Sequence, residues 1–281
     1  MDWVKTKTIF ILLLLALNLF LAGSLLYGSQ SGMIASNYDA YADKILEDRG
    51  IGVPVKWPDG PAQAGMLRFE SLPDVDIILN WLMPEADIVL NGQAEGFRQY
   101  KSGSRILTIT LATDSGSTML RYEDVSAGYK LDVSVPKRRE REIQSLLKSL
   151  GLSRYGLVPD RVKEADGEIT LSYIQPYDAG YIFDNQVTLV LKHDGLAEMT
   201  ISLHPELQEI APSGGGVGDI LTAQQALILS PLRGPLQIRE IKFGWGQENH
   251  GELYFSPVWR IATENEQVYW LNAYTGVQRY R

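Results

Sequence analysis

The stretch from Arg105 to Leu111, RILTITL, decides the class of fold that this chain adopts. Its aliphatic side chains from Leu107 onward alternate with the hydroxyl groups of Thr108 and Thr110. Successive residues of a β-strand point to opposite faces, so this pattern gives one apolar face and one polar face. Strands of this kind form antiparallel sheets that pack on one face and contact water on the other. The stretch therefore predicts a half-buried strand in such a sheet.

The same alternation predicts further strands on both sides of this stretch. Asp194-Gly195 is a tight hairpin turn within a meander that runs from Glu168 to Leu203. Trp259 and Trp270 lie on the last two predicted strands and are expected to pack together. The other predicted strands are Thr118–Tyr122, Tyr129–Val135, Pro257–Ala262 and Val268–Leu271.

Three helices are predicted between these strands. The first covers residues 36–50, with a serine as N-cap and an inward face that includes Tyr41. The second covers residues 137–151 and turns its aliphatic side chains from Ile143 onward inward. The third opens at a capping box, TAQQ, which begins at Thr222.

Residues 8–27, TIFILLLLALNLFLAGSLLY, form an uncharged apolar run of 20 residues. About 20 helical residues cross the hydrocarbon core of a bilayer, so the run predicts one transmembrane helix. Lys5 and Lys7 precede it, and the positive-inside rule therefore places the N-terminus in the cytoplasm. The chain is then a single-pass protein of the cell membrane. The alternative is a cleaved signal peptide, with small residues at Ala22–Ser24.

This orientation gives the predicted domain organisation. Residues 1–7 form a cytoplasmic tail, residues 8–27 the transmembrane helix, and the rest of the chain lies outside the cytoplasm. Helices that alternate with antiparallel meanders define an α+β fold. We predict two extracytoplasmic lobes, residues 28–135 and 136–281, each an antiparallel sheet with a packed helix.

Asn18 is the strongly polar side chain of the apolar run. In hydrocarbon an amide is satisfied either by a partner helix, in a contact worth roughly 0.6–2 kcal/mol, or by its own helix. Both interpretations stay open from the sequence.

Composition excludes several kinds of chemistry. The sequence contains no cysteine, so disulfides, thiolate nucleophiles and zinc–thiolate sites are absent. The formal net charge of −8 disfavours nucleic acid as a partner, because phosphate binding requires basic patches. His193, His204 and His250 lack metal-ligand spacing, and we interpret them as solvated turn residues. We expect neither a metal nor a cofactor.

Two alternative functions stay open for the extracytoplasmic part. One is a wall-modifying hydrolase that uses a pair of carboxylates, since the separation of two acids is a three-dimensional property. The carboxylates considered are Asp74, Asp76, Glu85 and Asp87. The other is a ligand-sensing module whose groove is lined by Trp57 or Trp81, although both side chains also suit a packed core. Its ligand is unknown.

Four short N-terminal segments resemble the YycI family of membrane-anchored regulatory proteins. They are Met1-Asp2-Trp3, Lys5-Thr6-Lys7, Ile9-Phe10-Ile11 and Asn18-Leu19-Phe20-Leu21. The order of one span, a helix and a β-rich domain is similar to that family along the whole chain. Residues 219–281 contain LTAQQALIL and VWRIATENEQVYWLNAYTGV, which are similar to PepSY-like units.

The resemblance implies a non-enzymatic regulator of a two-component system. It implies that the chain binds a WalK-like sensor histidine kinase together with a YycH-like single-span protein. The complex would modulate the kinase activity that controls cell-wall metabolism. Transmembrane helices contribute to these contacts in the family, so Trp3, Asn18 and Phe20 are the candidate partner-binding residues. No catalytic residue is implied.

Overall fold

The structure is a computed structural model that describes most of the chain after residue 40. The described residues are 13–15, 17–18, 41–53, 56–69, 75–83, 87–88, 96–112, 117–131, 135–192, 195–204, 207–210, 218–247 and 254–279. Within them the protein is an α+β molecule dominated by one large sheet, which confirms the predicted fold class at that level.

Helices are few in the described part of the chain. They are α1 (residues 41–48), α2 (Asp76–Leu82), α3 (Pro136–Ser149), a 3₁₀-helix (Leu152–Tyr155) and α4 (Ala223–Leu229). Residues 13–15 and 17–18 are also helical. Most of the predicted span, residues 8–27, lies outside the described residues, and among those described no helix has the length and apolar character needed to cross a bilayer.

The strands vary from short edge pairs to long central strands. In chain order they are β1 (Ile51–Gly52), β2 (Gln63–Ala64), β3 (Met66–Phe69), β4 (Asp87–Ile88), β5 (Phe97–Ser102), β6 (Arg105–Ala112), β7 (Ser117–Asp124), β8 (Tyr129–Lys130), β9 (Val158–Ala165), β10 (Glu168–Tyr177), β11 (Gly180–Lys192), β12 (Gly195–Ser202), β13 (Leu207–Ile210), β14 (Gly218–Asp219), β15 (Leu236–Gln247), β16 (Tyr254–Thr263), β17 (Val268–Asn272) and β18 (Gln278–Arg279).

Sixteen of these strands form one sheet, and β2 pairs with β14 in a separate small sheet. The main path of the large sheet runs in the order β13-β3-β16-β15-β11-β12-β7-β6-β5-β4. Short branches leave this path: β10 pairs with β11 and β9, β17 with β16 and β18, β1 with β15, and β8 with β12.

β11 joins the two halves of this sheet. One of its edges pairs with β10. Along the other edge, Gln186 to Lys192 pair with β12, whereas Tyr181 and Ile182 pair in parallel with β15 near its C-terminal end. We call β4–β10 with β12 the first half, and β1, β3, β13 and β15–β18 the second half. A single long strand is therefore shared by both.

The predicted hairpin pairings are present, but the turn predicted at Asp194-Gly195 is wrong by one residue, because Gly195 already belongs to β12 and pairs with Lys192. In β6, Leu107 and Ile109 are buried and Thr110 is exposed, as the alternation predicts. β6 pairs antiparallel with β7, and the meander β10–β11–β12 pairs antiparallel throughout. The predicted strand Tyr129–Val135 is wrong in length, because β8 covers Tyr129–Lys130 and Val135 is the N-cap of α3.

α2 and α3 cover one face of the first half. The aliphatic side chains of α3, including Ile143 and Leu146, are buried against strand residues such as Leu189. The helix starts at Pro136, since proline has no N–H to leave unbonded there. Gly151 follows its last turn with a φ of 74°, a conformation that favours glycine. The second predicted helix is confirmed.

α1 and α4 pack with the second half. The capping box of α4 is confirmed: Gln225 N donates to Thr222 Oγ1 at 3.2 Å, and Thr222 N donates to Gln225 Oε1 at 2.9 Å. In α1, Ala42 and Leu46 are buried one turn apart, whereas Tyr41 is 65% exposed. The inward orientation predicted for Tyr41 is wrong, because a short helix buries a narrower stripe than the prediction allowed. Residues 36–40 of that prediction lie outside the described residues.

Backbone hydrogen bonds connect the residues at the end of α1 to the start of β15. Gly234 N donates to Arg49 O at 2.8 Å, and Leu236 N donates to Gly50 O at 3.0 Å. β1 then continues as a parallel partner of β15, with Ile51 opposite Leu236. The N-terminal helix is therefore part of the second half.

The expected contact between Trp259 and Trp270 is wrong. Trp259 lies opposite Leu271 on β17, whereas Trp270 lies opposite Arg260. A difference of one residue in register places the two rings on opposite faces of the sheet. Trp259 packs edge-on against Phe243 with ring centroids 5.2 Å apart, in the core that also holds α4.

The sheet and the first core cross the predicted lobe boundary at residue 135. β7, before the boundary, pairs with β12, after it. The first core likewise contains residues from both sides, such as Leu120 and Leu189. Strand pairing therefore connects the two predicted lobes.

Candidate functional site

A cavity of about 480 Å³ opens on the sheet where its two halves meet at β11. Its walls come from β7, β9, β10, β11 and β12 of the first half and from β15, β16 and β17 of the second. This volume lies within the range of roughly 300–1,000 Å³ that is typical of small-molecule sites. The cavity is the candidate functional site.

The cavity exists because β11 carries extra residues at this point. Opposite Ile174-Gln175 of β10, the register of β11 jumps from Gln186 to Ile182, which leaves the residues between them unpaired with β10. Such an irregularity bends a strand and changes which side chains face the core. As a result Ile182 enters the second core and Val187 the first, while Asp184 lines the cavity.

A buried polar cluster fixes this irregular segment. The Asn185 amide donates to Gln175 Oε1 at 2.6 Å and to His204 O at 3.0 Å, and Asn185 Oδ1 accepts the His204 backbone N–H at 2.7 Å. His204 also stacks edge-on with Phe255, with ring centroids 5.0 Å apart. Hydrogen bonds of this kind are needed wherever polar groups are buried.

His204 is a core residue and not the solvated turn residue that the sequence suggested. Only 2% of it is exposed, and its Nδ1 lies 2.8 Å from Asn185 Oδ1. Burial lowers the pKa of His204 to about 4, and the charge of Asp184 opposes this only in part. The imidazole is therefore neutral at pH 7. The proline that follows His204 suggested a turn, but the buried partner on β11 is far away in sequence.

An ion-pair cluster reaches the cavity wall through Asp160 and Arg260. Arg260 of β16 donates through both terminal nitrogens to Asp160 of β9, at 2.7 Å for Nη1, and Nη2 also reaches Glu240 at 3.1 Å. Lys242 Nζ bonds the same two carboxylates, at 3.0 Å for Asp160 and 2.8 Å for Glu240. The Arg260 and Asp160 side chains are 3% and 4% exposed. These contacts tie β9 to β15 and β16.

Asp160 is charged in this cluster. Burial alone would raise the pKa of its carboxyl, but the hydrogen bonds and charges of Arg260 and Lys242 hold it below its usual range. A carboxylate held in this way is a poor proton donor at neutral pH. The Asp160 carboxylate is therefore better suited to linking strands or to binding than to acid catalysis.

Two further polar residues of the cavity wall have capacity for a ligand. Arg161 Nε lies 3.6 Å from Asp160 Oδ2, and the Arg161 side chain is 37% exposed. Thr118 is fully buried, and its hydroxyl makes no hydrogen bond to any residue that the structure describes. Aromatic surface completes the wall: Phe183 packs edge-on against Trp270 at 5.0 Å and lies beneath the Arg260 guanidinium at 4.7 Å.

The cavity lies at one end of a row of polar side chains that crosses the first half. We call it the polar row, and its members face one another on neighbouring strands. They are Gln99, Thr108, Arg121, Thr200, Thr188, Ser172 and Arg161. Within the row, Gln99 Nε2 donates to Thr108 Oγ1 at 3.2 Å, and the Ser172 and Thr188 hydroxyls lie 3.4 Å apart. This is the polar face that the alternating threonines predicted.

Of the candidate partner-binding residues the structure describes Asn18, which does not line the cavity. Asn18 Nδ2 donates to Leu14 O at 3.0 Å, which is the contact with its own helix that the sequence left open. That bond uses one of the two amide N–H groups. Trp3 and Phe20 lie outside the described residues, so their assignment stays a prediction.

The tryptophans proposed for other functions, and those of the proposed acids that the structure describes, do not line this cavity either. Trp81 packs edge-on against Tyr129 at 5.1 Å beside the first core. Trp57 lies against the second core, donates to Asp43 Oδ1 at 3.2 Å and lines a second cavity of about 390 Å³. Asp76 lies in the first turn of α2 and Asp87 in β4. The remaining acids and histidines named above, Asp74, Glu85, His193 and His250, lie outside the described residues.

The sequence pattern around the cavity residues is too general to identify them as residues of a site. Ser172 and Thr200 occupy the polar positions of alternating strands, which predicts a wet face but not which strands meet. Arg161 and Thr118 come together through pairings between distant segments. Among the described residues no group of three or more His, Asp or Glu side chains could hold a metal ion.

Comparison with known proteins gives little further information. No protein-family model and no curated protein sequence matches the chain. Among solved structures, the C-terminal domain of YpeB from Bacillus megaterium has a TM-score of 0.40 and 9% sequence identity, over 75% of this chain and 97% of that chain. This likeness is too remote to assign the chain to a family. The fold and the site define a sheet-dominated α+β protein with a polar cavity between two half-sheets.

Proposed function

We propose that the chain is a non-enzymatic, membrane-anchored regulator. In this proposal residues 8–27 form a single transmembrane helix, and the rest of the chain lies outside the cytoplasm as two lobes. The regulator binds a WalK-like sensor histidine kinase together with a YycH-like single-span protein. It thereby modulates the kinase activity that controls cell-wall metabolism. The resemblance of residues 1–21 to the YycI family is the source of the named partners.

One observation on the cavity supports a binding role over catalysis. The most buried carboxylate of its wall, Asp160, is held by Arg260 and Lys242 and contributes to the packing of β9 against β15 and β16. A glycosidase needs one carboxyl group that stays protonated and a second that acts as a base or nucleophile. The paired state of Asp160 disfavours both roles. The hydrolase is therefore the weaker candidate.

Regulation of this kind needs only a modest energy difference. A partner shifts a kinase between two states when it binds one state more tightly, at about 1.4 kcal/mol per tenfold change in affinity. Contacts between transmembrane helices are each worth roughly 0.6–2 kcal/mol. One such contact together with an extracytoplasmic interface is sufficient.

Crosslinking in native membranes, followed by affinity capture of this chain, tests the proposal. We expect to recover a sensor histidine kinase and a second single-span protein. A matched variant replaces residues 8–27 with an unrelated apolar span of equal length, which keeps the topology and removes the specific side chains. Loss of the kinase from that variant supports the proposal, whereas recovery of neither partner with the native chain contradicts it.

A ligand-sensing module is the second candidate function. The observation that favours it is the cavity itself, which has a suitable volume and combines ionic, hydroxyl and aromatic walls. This function is compatible with regulation, because a ligand can bias a complex without any catalysis.

A further inference from the structure

Charged side chains of both signs line the cavity. Arg161 and Arg260 are matched in number by Asp160 and Asp184, so the wall as a whole carries no net charge. The positive charge that a ligand can meet is therefore local and depends on which cation lacks a close carboxylate partner.

Arg161 is the member of this group that a ligand can reach. Arg260 is almost completely buried and has both terminal nitrogens bonded to carboxylates. Lys242 likewise bonds two carboxylates. Arg161 has 37% of its side chain exposed and touches Asp160 only at 3.6 Å, through Nε. Burial, followed by the charge of Arg260, lowers the pKa of Arg161, and a bound anion would offset both effects.

The other polar side chains of the cavity wall indicate which hydrogen-bonding groups the rest of the ligand has. The buried Thr118 hydroxyl has no partner among the described residues, and such a group favours a ligand atom that bonds it. Ser172, Ser202 and Gln186 add further donors and acceptors. The Asp184 carboxylate also lines the cavity and accepts Gln247 N at 2.8 Å. A carboxylate attached to amide groups matches this set.

We propose that the cavity binds a short peptide by its free C-terminal carboxylate, with Arg161 recognising the charge. The amide groups of the ligand bond the hydroxyl and amide side chains of β7, β10, β11 and β12, and a small apolar side chain lies against Trp270. Asp160, Lys242 and Arg260 position Arg161 and do not contact the ligand. This proposal goes beyond kinase regulation and does not depend on it.

The direct test is calorimetric titration of the full-length chain in detergent micelles. The probes are N-acetyl-alanyl-alanine with a free carboxylate and the same dipeptide with a C-terminal amide. We expect the carboxylate form to bind at least about tenfold more tightly, because a charged hydrogen bond is replaced by a neutral one. Equal binding of the two probes, or no binding of either at millimolar concentration, overturns the proposal.

Variants locate the binding group. Arg161→Gln should weaken binding of the carboxylate probe roughly 10- to 100-fold and leave the amide probe unaffected. Arg121→Gln is the matched control, since Arg121 belongs to the polar row but pairs with Glu123 at 2.7 Å and does not line the cavity. Thr118→Val, which keeps the side-chain shape, should weaken binding of both probes.

Two outcomes of these variant titrations contradict the assignment. One is unchanged carboxylate binding by Arg161→Gln in a chain whose thermal unfolding is like that of the native chain. The other is inorganic phosphate binding as tightly as the free-carboxylate dipeptide, which would mark a general anion site. Both measurements are independent of any kinase.

Discussion

Arg260 and Asp160 form a buried ion pair that links the two halves of the sheet. Both side chains are almost fully removed from water, and Arg260 lies over the Phe183 ring. Removing one partner of such a pair is costly, because the other charge stays buried without full compensation. The pair therefore contributes to stability mainly through the penalty for breaking it.

We expect Arg260→Met to lower the free energy of unfolding by about 3 kcal/mol. Methionine keeps much of the side-chain volume but leaves Asp160 with Lys242 as its main cation. Urea denaturation of the full-length chain, followed by tryptophan fluorescence, measures the change. The control is Lys163→Met, which breaks the exposed pair of Lys163 with Glu266 and should cost much less, because solvent screens exposed charges. Similar losses in both variants would contradict the prediction.

His204 gives the protein a pH dependence with a defined sign. Burial lowers the pKa of His204 from 6.5 to about 4, so the unfolded chain binds the proton more readily. The stability that its neutral form contributes is complete above pH 6.5 and is lost as the pH falls towards 4.

The variant His204→Gln removes this titration and keeps a side chain that can bond Asn185. We expect the stability difference between the native chain and the variant to fall by about 3 kcal/mol from pH 7 to pH 4. Urea unfolding at several pH values measures it. A difference that stays constant over this interval would show that His204 does not titrate as its burial requires.

At the scale of the element, local signals predicted α3, α4 and the strand hairpins, whereas α2 (Asp76–Leu82) was not predicted. Proline at the start of α3 and glycine after its end act within one turn, and the capping box of α4 involves residues three apart. The alternation in β6 likewise depends on its own residues alone. Each of these features is encoded where it occurs.

Register between distant strands could not be predicted in this way. Trp259 and Trp270 looked like partners because both lie on adjacent strands, yet the pairing of Trp259 with Leu271 separates them. The cavity depends on the same kind of information, since the extra residues of β11 matter only through their pairing with β10 and β12. The buried state of His204 also follows from that pairing.

α4 provides a prediction at this scale. Thr222→Ala removes the side chain that accepts Gln225 N and should lower the free energy of unfolding by about 1 kcal/mol. Thr222→Ser keeps the hydroxyl and serves as the matched control. Both are compared by their urea midpoints at a constant slope. An equal loss in the two variants would mean that the methyl group, and not the cap, is responsible.

At the scale of the whole molecule, the N-terminal segment connects the fold to the proposed function. Asn18 bonds Leu14 O in its own helix, a contact that uses one of the two amide N–H groups and does not involve the side-chain carbonyl oxygen. In the proposed complex this amide contributes to contact between transmembrane helices.

We therefore expect Asn18→Leu to weaken association with the membrane partners by roughly 3- to 30-fold. Quantitative co-purification from membranes that contain the full-length chain measures the effect. Leu17→Ile, an apolar exchange at the next position, is the control and should change nothing. Unchanged recovery with Asn18→Leu would indicate that the bond to Leu14 satisfies the amide by itself.

The attachment of α1 to β15 has a mechanical consequence. With residues 8–27 as the proposed anchor, tension between the membrane and the outer part enters the molecule through α1 and β1. β1 runs parallel to β15, with Ile51 opposite Leu236. A pull along the axis of β1 therefore loads the hydrogen bonds between the two segments in shear, whereas a pull across the strands would load them one after another. Bonds loaded in shear must break together, so the second half of the sheet is the part of the molecule suited to carry force.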